Sequence, residues 1–204
     1  MPRGRTPKGE ATRARIIAGA AEAVLALGVM DTTLDDVRER TGTSKGQIFH
    51  HFPGGKDELL TEVARHEADR VLNGVQARMS PLTTWEAWSR WKDQLIGEYD
   101  RSGADCPLRI LVNHLGPATP GARAVVAELL SQWHTHIRTG LERMRSAGIL
   151  SGDLDPAAAA SAVLTAIQGG VVMLAATGTT AHLEASLDLT LAHLRTHALT
   201  PDRP

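Results

Sequence analysis

The chain has 204 residues, 42% hydrophobic and 22% charged, with a formal net charge of −1. That apolar content suits a packed globular core and excludes an intrinsically disordered chain. One cysteine, Cys106, excludes an intramolecular disulfide and a CxxC zinc site. The stretch Met1-Pro2-Arg3-Gly4-Arg5 leads into polar sequence rather than an apolar core, so no secretory signal is expected there. The longest apolar run, Val163 to Ala176, is interrupted by Gln168 and falls short of the roughly 18 residues of a membrane span. The expectation is therefore a soluble cytoplasmic protein without a membrane partner.

Residues 1–60 carry nine Lys/Arg against eight Asp/Glu. The first fifteen are locally basic, with Arg3, Arg5, Lys8, Arg13 and Arg15 against Glu10. Such a stretch suits contact with phosphate, and it equally describes a solvated tail. Ile16, Ile17, Ala20, Ala21, Val24 and Leu25 recur at three- and four-residue spacing, which predicts a first helix ended by Gly28. A short second helix is expected from the N-cap Thr33, with Asp35 and Asp36 complementing its dipole, to Gly42. Ser44 caps a third helix, Lys45 to His51, and Pro53-Gly54-Gly55 separates it from a fourth that opens at Lys56.

Two short helices joined by a glycine-containing turn read as a helix-turn-helix. With Ile48 and Phe52 turned inward, Lys45, Gly46, Gln47, Phe49 and His50 face wholly or partly outward. Lys45 can donate to guanine or phosphate, and the Gln47 amide offers the donor and acceptor that match adenine. Gly46 admits close backbone approach. His50 and His51 can donate to phosphate, and Thr33, Ser44 and Lys56 stand at helix N-termini, where anions are favoured. Exposed Lys, Gln and His are also ordinary solvated residues, so spacing alone leaves DNA binding and plain three-helix packing both open.

The continuous stretch from Thr33 through Leu60, TLDDVRERTGTSKGQIFHHFPGGKDELL, resembles the DNA-binding domain of TetR-family transcriptional regulators. The resemblance covers the first sixty residues. It implies that Lys45, Gly46 and Gln47 read bases and that Thr33, His50 and Lys56 lie near phosphates. Phe49 stands where the family usually carries a tyrosine, leaving a hydrophobic or stacking role in place of a hydroxyl contact.

Leu59, Leu60, Val63, Ala64, Ala68, Val71, Leu72 and Val75 form one long stripe on the fourth helix, which Ser80-Pro81 ends. All four tryptophans follow. Trp85, Trp88 and Trp91 fan over one helix face, and Trp133 lies on another; they suit either core filling or the wall of an apolar pocket. A further helix begins around Gly103 to Arg109 and runs to Gly116-Pro117. Cys106, Asn113, His114, Gln168 and Met173 are candidate polar or soft contacts for a ligand. Cys106-Pro107-Leu108, the Trp133 helix and Gln168-Gly169-Gly170 are together similar to the LmrA/YxaF-like branch of TetR regulators.

The last two helices are the candidate dimer interface. Pro156 suits the first position of one, which presents Ala162, Ala166 and Gly170; the other carries Leu183, Leu187, Leu191 and Leu194. These stripes could also finish a monomeric bundle, and the resemblance to TetR-like proteins favours pairing across a two-fold axis. The expected architecture is all-α: a helix-turn-helix domain over residues 1–56 with a basic arm, and a ligand-binding and dimerisation domain over 57–204. The expected partners are double-stranded operator DNA, a second copy of the chain and a small, apolar or aromatic effector. No cofactor or metal is expected. His193 and His197 lie one turn apart, but HExxH, GxSxG and phosphate-cradling glycine loops are missing, so no enzyme is expected. The alternatives are an all-helical interaction adaptor and a regulator that needs a corepressor.

Overall fold

The computed structural model describes residues 6–74, 81–102 and 110–199. Arg3, Arg5 and Cys106 fall outside them, as does the Asn113 side chain. Among the described residues the regular elements are helical. They are α1 (Pro7–Leu27), α2 (Leu34–Thr41), α3 (Lys45–His51), α4 (Gly55–Gly74), α5 (Trp85–Ser102), α6 (Pro120–Ser146), α7 (Pro156–Thr177) and α8 (Ala181–Thr196). Between α5 and α6 lie a π-helical segment, Ile110–Leu115, and a single turn, Gly116–Ala118.

The chain divides into two compact units, one of Met1–Asn73 with Pro107–Ala127 and the other of Gly74–Cys106 with Glu128–Pro204. This division differs from one at residue 56. Leu59, Leu60, Val63, Ala64, Ala68 and Val71 of the α4 stripe are buried, and the helix up to Asn73 groups with the first unit.

Local signals set the first three helices. Helix α1 begins earlier than its apolar stripe, because the Thr6 hydroxyl caps Gly9 N–H and Pro7 supplies a preset first turn. Lys8, Arg13 and Arg15 therefore sit on a helix rather than on an arm. Capping boxes open α2 (Thr33 with Asp36) and α3 (Ser44 with Gln47), each satisfying two backbone donors reciprocally. Gly42, at φ 61°, takes the left-handed conformation that turns α2 into α3, where a side chain would be strained. Ile16, Ala20, Val37, Ile48, Phe52 and Val63 close the core between these helices.

The second unit packs α5 and α7 with α8, and its core is aromatic as well as aliphatic. Trp88 is 1% exposed; its indole N–H donates to Met144 Sδ at 3.2 Å, and its ring meets Trp91 edge-on at 5.5 Å. Helix α7 starts at the N-cap Asp155, which accepts from the Ala157 and Ala158 amides. Backbone bonds from Ser151 to His197 and from Leu199 to Ile149 tie the α6–α7 connection to the end of α8.

Helix α7 corrects the expectation that no apolar run is long enough for a bilayer. At 22 residues and a mean hydropathy of 1.8 it reaches that length and composition. Much of the hydropathy comes from alanine, and one face is used inside the unit. A Cβ on Gly170 would lie 2.5 Å from Leu183 Cα, so only glycine lets α8 approach so closely.

Candidate nucleic-acid interface

Helix α3 is fixed from below and open above. Ile48 and Phe52 are fully buried, whereas Ser44, Lys45, Gly46, Gln47, Phe49 and His50 are exposed. One short helix therefore presents a contiguous polar surface with an aromatic ring, Phe49, 48% exposed in its middle. His50 and His51 meet edge-to-face at 5.1 Å. Gly46 has no side chain of another element near its would-be Cβ, leaving its backbone open to a groove wall.

Hydrogen bonds already made within the chain limit what each of these residues can offer. Gln47 Oε1 accepts from the Ser44 amide at 2.9 Å, and among the described residues its Nε2 meets no acceptor. The side chain thus offers donors first, and its oxygen must share a lone pair to complete an adenine-type contact. Ser44 Oγ accepts from the Gln47 amide, leaving its own O–H to donate. Thr33 differs. Its hydroxyl donates to Asp36 Oδ2 at 2.6 Å and accepts from the Asp36 amide, and its amide also donates to Asp36. A phosphate contact at Thr33 has to displace one of these bonds. The same bonds hold the Asp36 carboxyl below the usual carboxylate range. Lys56 is half-buried, and its ammonium donates to the Met30 carbonyl at 3.3 Å with two donors to spare.

Two contacts around α3 join different helices and escape sequence reasoning. Lys45 Nζ lies 3.0 Å from Asp35 Oδ2 on α2, and this hydrogen bond is the main cause that holds the Asp35 carboxyl below its ordinary range. Arg13 of α1 pairs with Glu62 of α4 and lies 5.3 Å from the centre of the Phe52 ring. Burial opposes ionisation of Glu62, yet Arg13 and Arg65 together keep its carboxyl below the usual range. Arg13 reads as part of a basic arm; its partners lie 39 and 49 residues away, and no local spacing announces them.

The described residues expected at a ligand pocket fall in different surroundings. Trp88, Trp91 and Trp133 are buried core residues, and half-buried Trp85 lies under the Arg195 guanidinium at 5.1 Å. His114 is exposed and belongs to the first unit, and Met173 lies on the exposed side of α7. Gln168 is half-buried. Among the described residues, buried Nε1 of Trp91, Nε1 of Trp133 and Nε2 of Gln168 meet no hydrogen-bond partner. The second unit also holds an open groove of about 480 Å³ along α6, lined by Pro81, Leu82, His136, Thr139 and Arg143 rather than by tryptophans.

Most of the expected dimer residues are engaged within the chain itself. Gly170, Leu187, Leu191 and Leu194 are buried by the α7–α8 contact within one chain, and Ala166 is half-buried. Of that set, only Ala162 is exposed. The exposed stripe runs instead through Ala158, Ala162, Thr165, Gly169, Val172 and Ala176 on α7, and through Ala185, Leu189 and Ala192 on α8. Leu189 is 74% exposed.

Residues 16–63 match the family model described as bacterial regulatory proteins, tetR family. An uncharacterised HTH-type transcriptional regulator in the lacX 3′ region of Lactococcus lactis subsp. lactis is 26% identical over 184 residues, 87% of this chain and 90% of that protein. The HTH-type transcriptional regulator LmrA of Bacillus subtilis is 26% identical over 72 residues, 35% of this chain and 38% of its own. The fold is shared with a TetR transcriptional regulator from Chloroflexus aurantiacus J-10-FL at a TM-score of 0.74. That likeness covers 95% of this chain and 98% of that one at 22% identity. The chain thus carries a helix-turn-helix segment that matches the tetR-family model and shares its all-helical fold with solved TetR regulators.

Proposed function

We propose that the protein is a cytoplasmic repressor that binds a near-palindromic operator as a homodimer and is released by a small effector. The observation that carries the DNA half is the surface of α3. Lys45, Gln47 Nε2, the Ser44 hydroxyl and the Phe49 ring project from a doubly capped helix whose other side is locked by Ile48 and Phe52. Lys45, Gly46 and Gln47 are assigned to base edges. Ser44, His50, His51 and Lys56 are assigned to phosphates, with Thr33 joining only if its capping box opens.

The exposed stripe of α7 and α8 supports a two-fold partner. Small residues let helices approach closely, and an apolar row capped by a 74% exposed leucine is costly to leave in water. Pairing covers the outer side of α7, the helix whose composition alone would also suit a bilayer. Two recognition helices then meet adjacent major grooves about 34–36 Å apart. The buried indole and amide donors of Trp91, Trp133 and Gln168, one on each of α5, α6 and α7 and without a partner among the described residues, support an effector that is largely apolar and carries hydrogen-bond acceptors. Preferential effector binding to a conformer with displaced heads need supply only about 1–3 kcal/mol of coupling.

Selection of purified protein against a random duplex library tests the operator reading. Enrichment of one near-palindrome, bound with steep salt dependence, is the expected result. A folded protein that enriches no sequence would favour a corepressor-dependent regulator or an interaction adaptor.

A further inference from the structure

We infer that Asp35 is a specificity-determining positioning residue, which ties Lys45 to α2 so that its ammonium answers to base edges rather than to the phosphate backbone. The inference rests on the operator-binding reading above. Asp35 occupies the second position of α2 and Lys45 the first of α3. Asp35 Oδ2 lies 3.0 Å from Lys45 Nζ, while Oδ1 accepts from Arg38 Nε at 3.2 Å. One carboxylate thus holds two cations at the edge of the reading surface. Both members of the Lys45 pair stay open to solvent, with side chains 61% and 56% exposed.

A free lysine is a point charge on a flexible stem that any phosphate satisfies. Here a phosphate that approaches Lys45 also meets the Asp35 carboxylate, so capturing the ammonium means breaking the pair against like-charge repulsion. Guanine O6 and N7 carry no net charge. They can take the two remaining Lys45 donors while the third stays on Asp35. The pair therefore admits neutral acceptors and disfavours anionic ones. In free protein such an exposed pair contributes little to stability. Its effect emerges against DNA, where water is displaced and phosphate charge is near. Asp36, the neighbouring acid, is engaged by Thr33 and takes no part.

The test compares wild type, Asp35→Asn, Glu39→Gln and Lys45→Ala on the selected operator duplex and on a scrambled duplex of equal length, over a range of salt. Glu39 is an exposed acid on the same helix and controls for simple loss of negative charge. Asp35→Asn should bind the scrambled duplex more tightly, with a salt slope steeper by about 0.9, one added phosphate contact. The operator-to-scrambled preference should fall by about 5–10-fold, within the discrimination of one base contact. Glu39→Gln should move both duplexes equally, and Asp35→Asn in a Lys45→Ala background should no longer steepen the slope. Thermal melting of each variant establishes that it is folded. If Asp35→Asn shifts both duplexes by one factor, as Glu39→Gln does, or acts without Lys45, the inference is overturned while the operator reading stands. A wild type without sequence preference overturns that reading and the inference with it.

Discussion

Phe49 and Trp88 are both aromatic residues on amphipathic helices, and the two units use them in opposite ways. In the first unit the apolar face of α3 is complete with Ile48 and Phe52, so Phe49 is left over and faces solvent. In the second, Trp88 and Trp91 are the core itself, packed edge-to-face with Met144 beneath. An exposed aromatic on a polar helix is available for recognition; a row of aromatics on an apolar helix must first fill volume. The exposed surface of α3 is therefore set by local capping, and the second unit by long-range packing.

Replacing Trp88 by alanine should break this contrast most strongly. Denaturant unfolding is expected to show a loss of about 3–5 kcal/mol, the cost of emptying a buried aromatic site. Phe49→Ala should stay within about 0.5 kcal/mol of wild type and alter DNA binding instead. Equal destabilisation by the two would erase the distinction.

A second comparison sets the inner side of the α7–α8 pair against its outer side. Gly170→Ala drives a methyl against Leu183 and should destabilise the protomer by about 1–3 kcal/mol. Leu189→Asp, on the outer stripe, should leave protomer stability within about 0.5 kcal/mol and convert a sedimenting dimer to monomer. A dimer that survives Leu189→Asp would move the proposed interface elsewhere.

The Arg13–Glu62 pair predicts a smaller, pH-dependent effect. Glu62 is more acidic in the fold than in the unfolded chain, so its contribution is present above the usual carboxylate range. It is lost as pH falls through the depressed folded value. Glu62→Gln should cost about 1–3 kcal/mol near neutrality, as for a hydrogen bond to a charged group. The difference from wild type should shrink as acid denaturation begins below about pH 4. A constant difference across that range would show that the pair does not titrate with folding.

What the sequence made legible follows the same division. Gly28, Thr33, Gly42, Ser44 and Pro156 act within a turn of their own positions, so the helix boundaries they set can be read directly. The outward residues of α3 follow from Ile48 and Phe52 by helical period alone. Arg13–Glu62 and Lys45–Asp35 join different helices, and spacing cannot announce them. On α7 and α8 both sides are apolar, and period identifies stripes without saying which one faces the protomer. Gly170 and Leu187 lie on the row that the chain buries itself, and Val172 and Leu189 lie on the exposed one.

The central claim is that α3 reads sequence while Lys56 only positions the protein. Salt-titrated binding of Lys45→Ala, Gln47→Ala and Lys56→Ala to the selected operator and to scrambled DNA tests it most directly. The expected result is that Lys45→Ala and Gln47→Ala lose operator preference, whereas Lys56→Ala weakens both duplexes alike and reduces the salt slope by about 1. Three variants that weaken both duplexes equally, with preference intact, would contradict it.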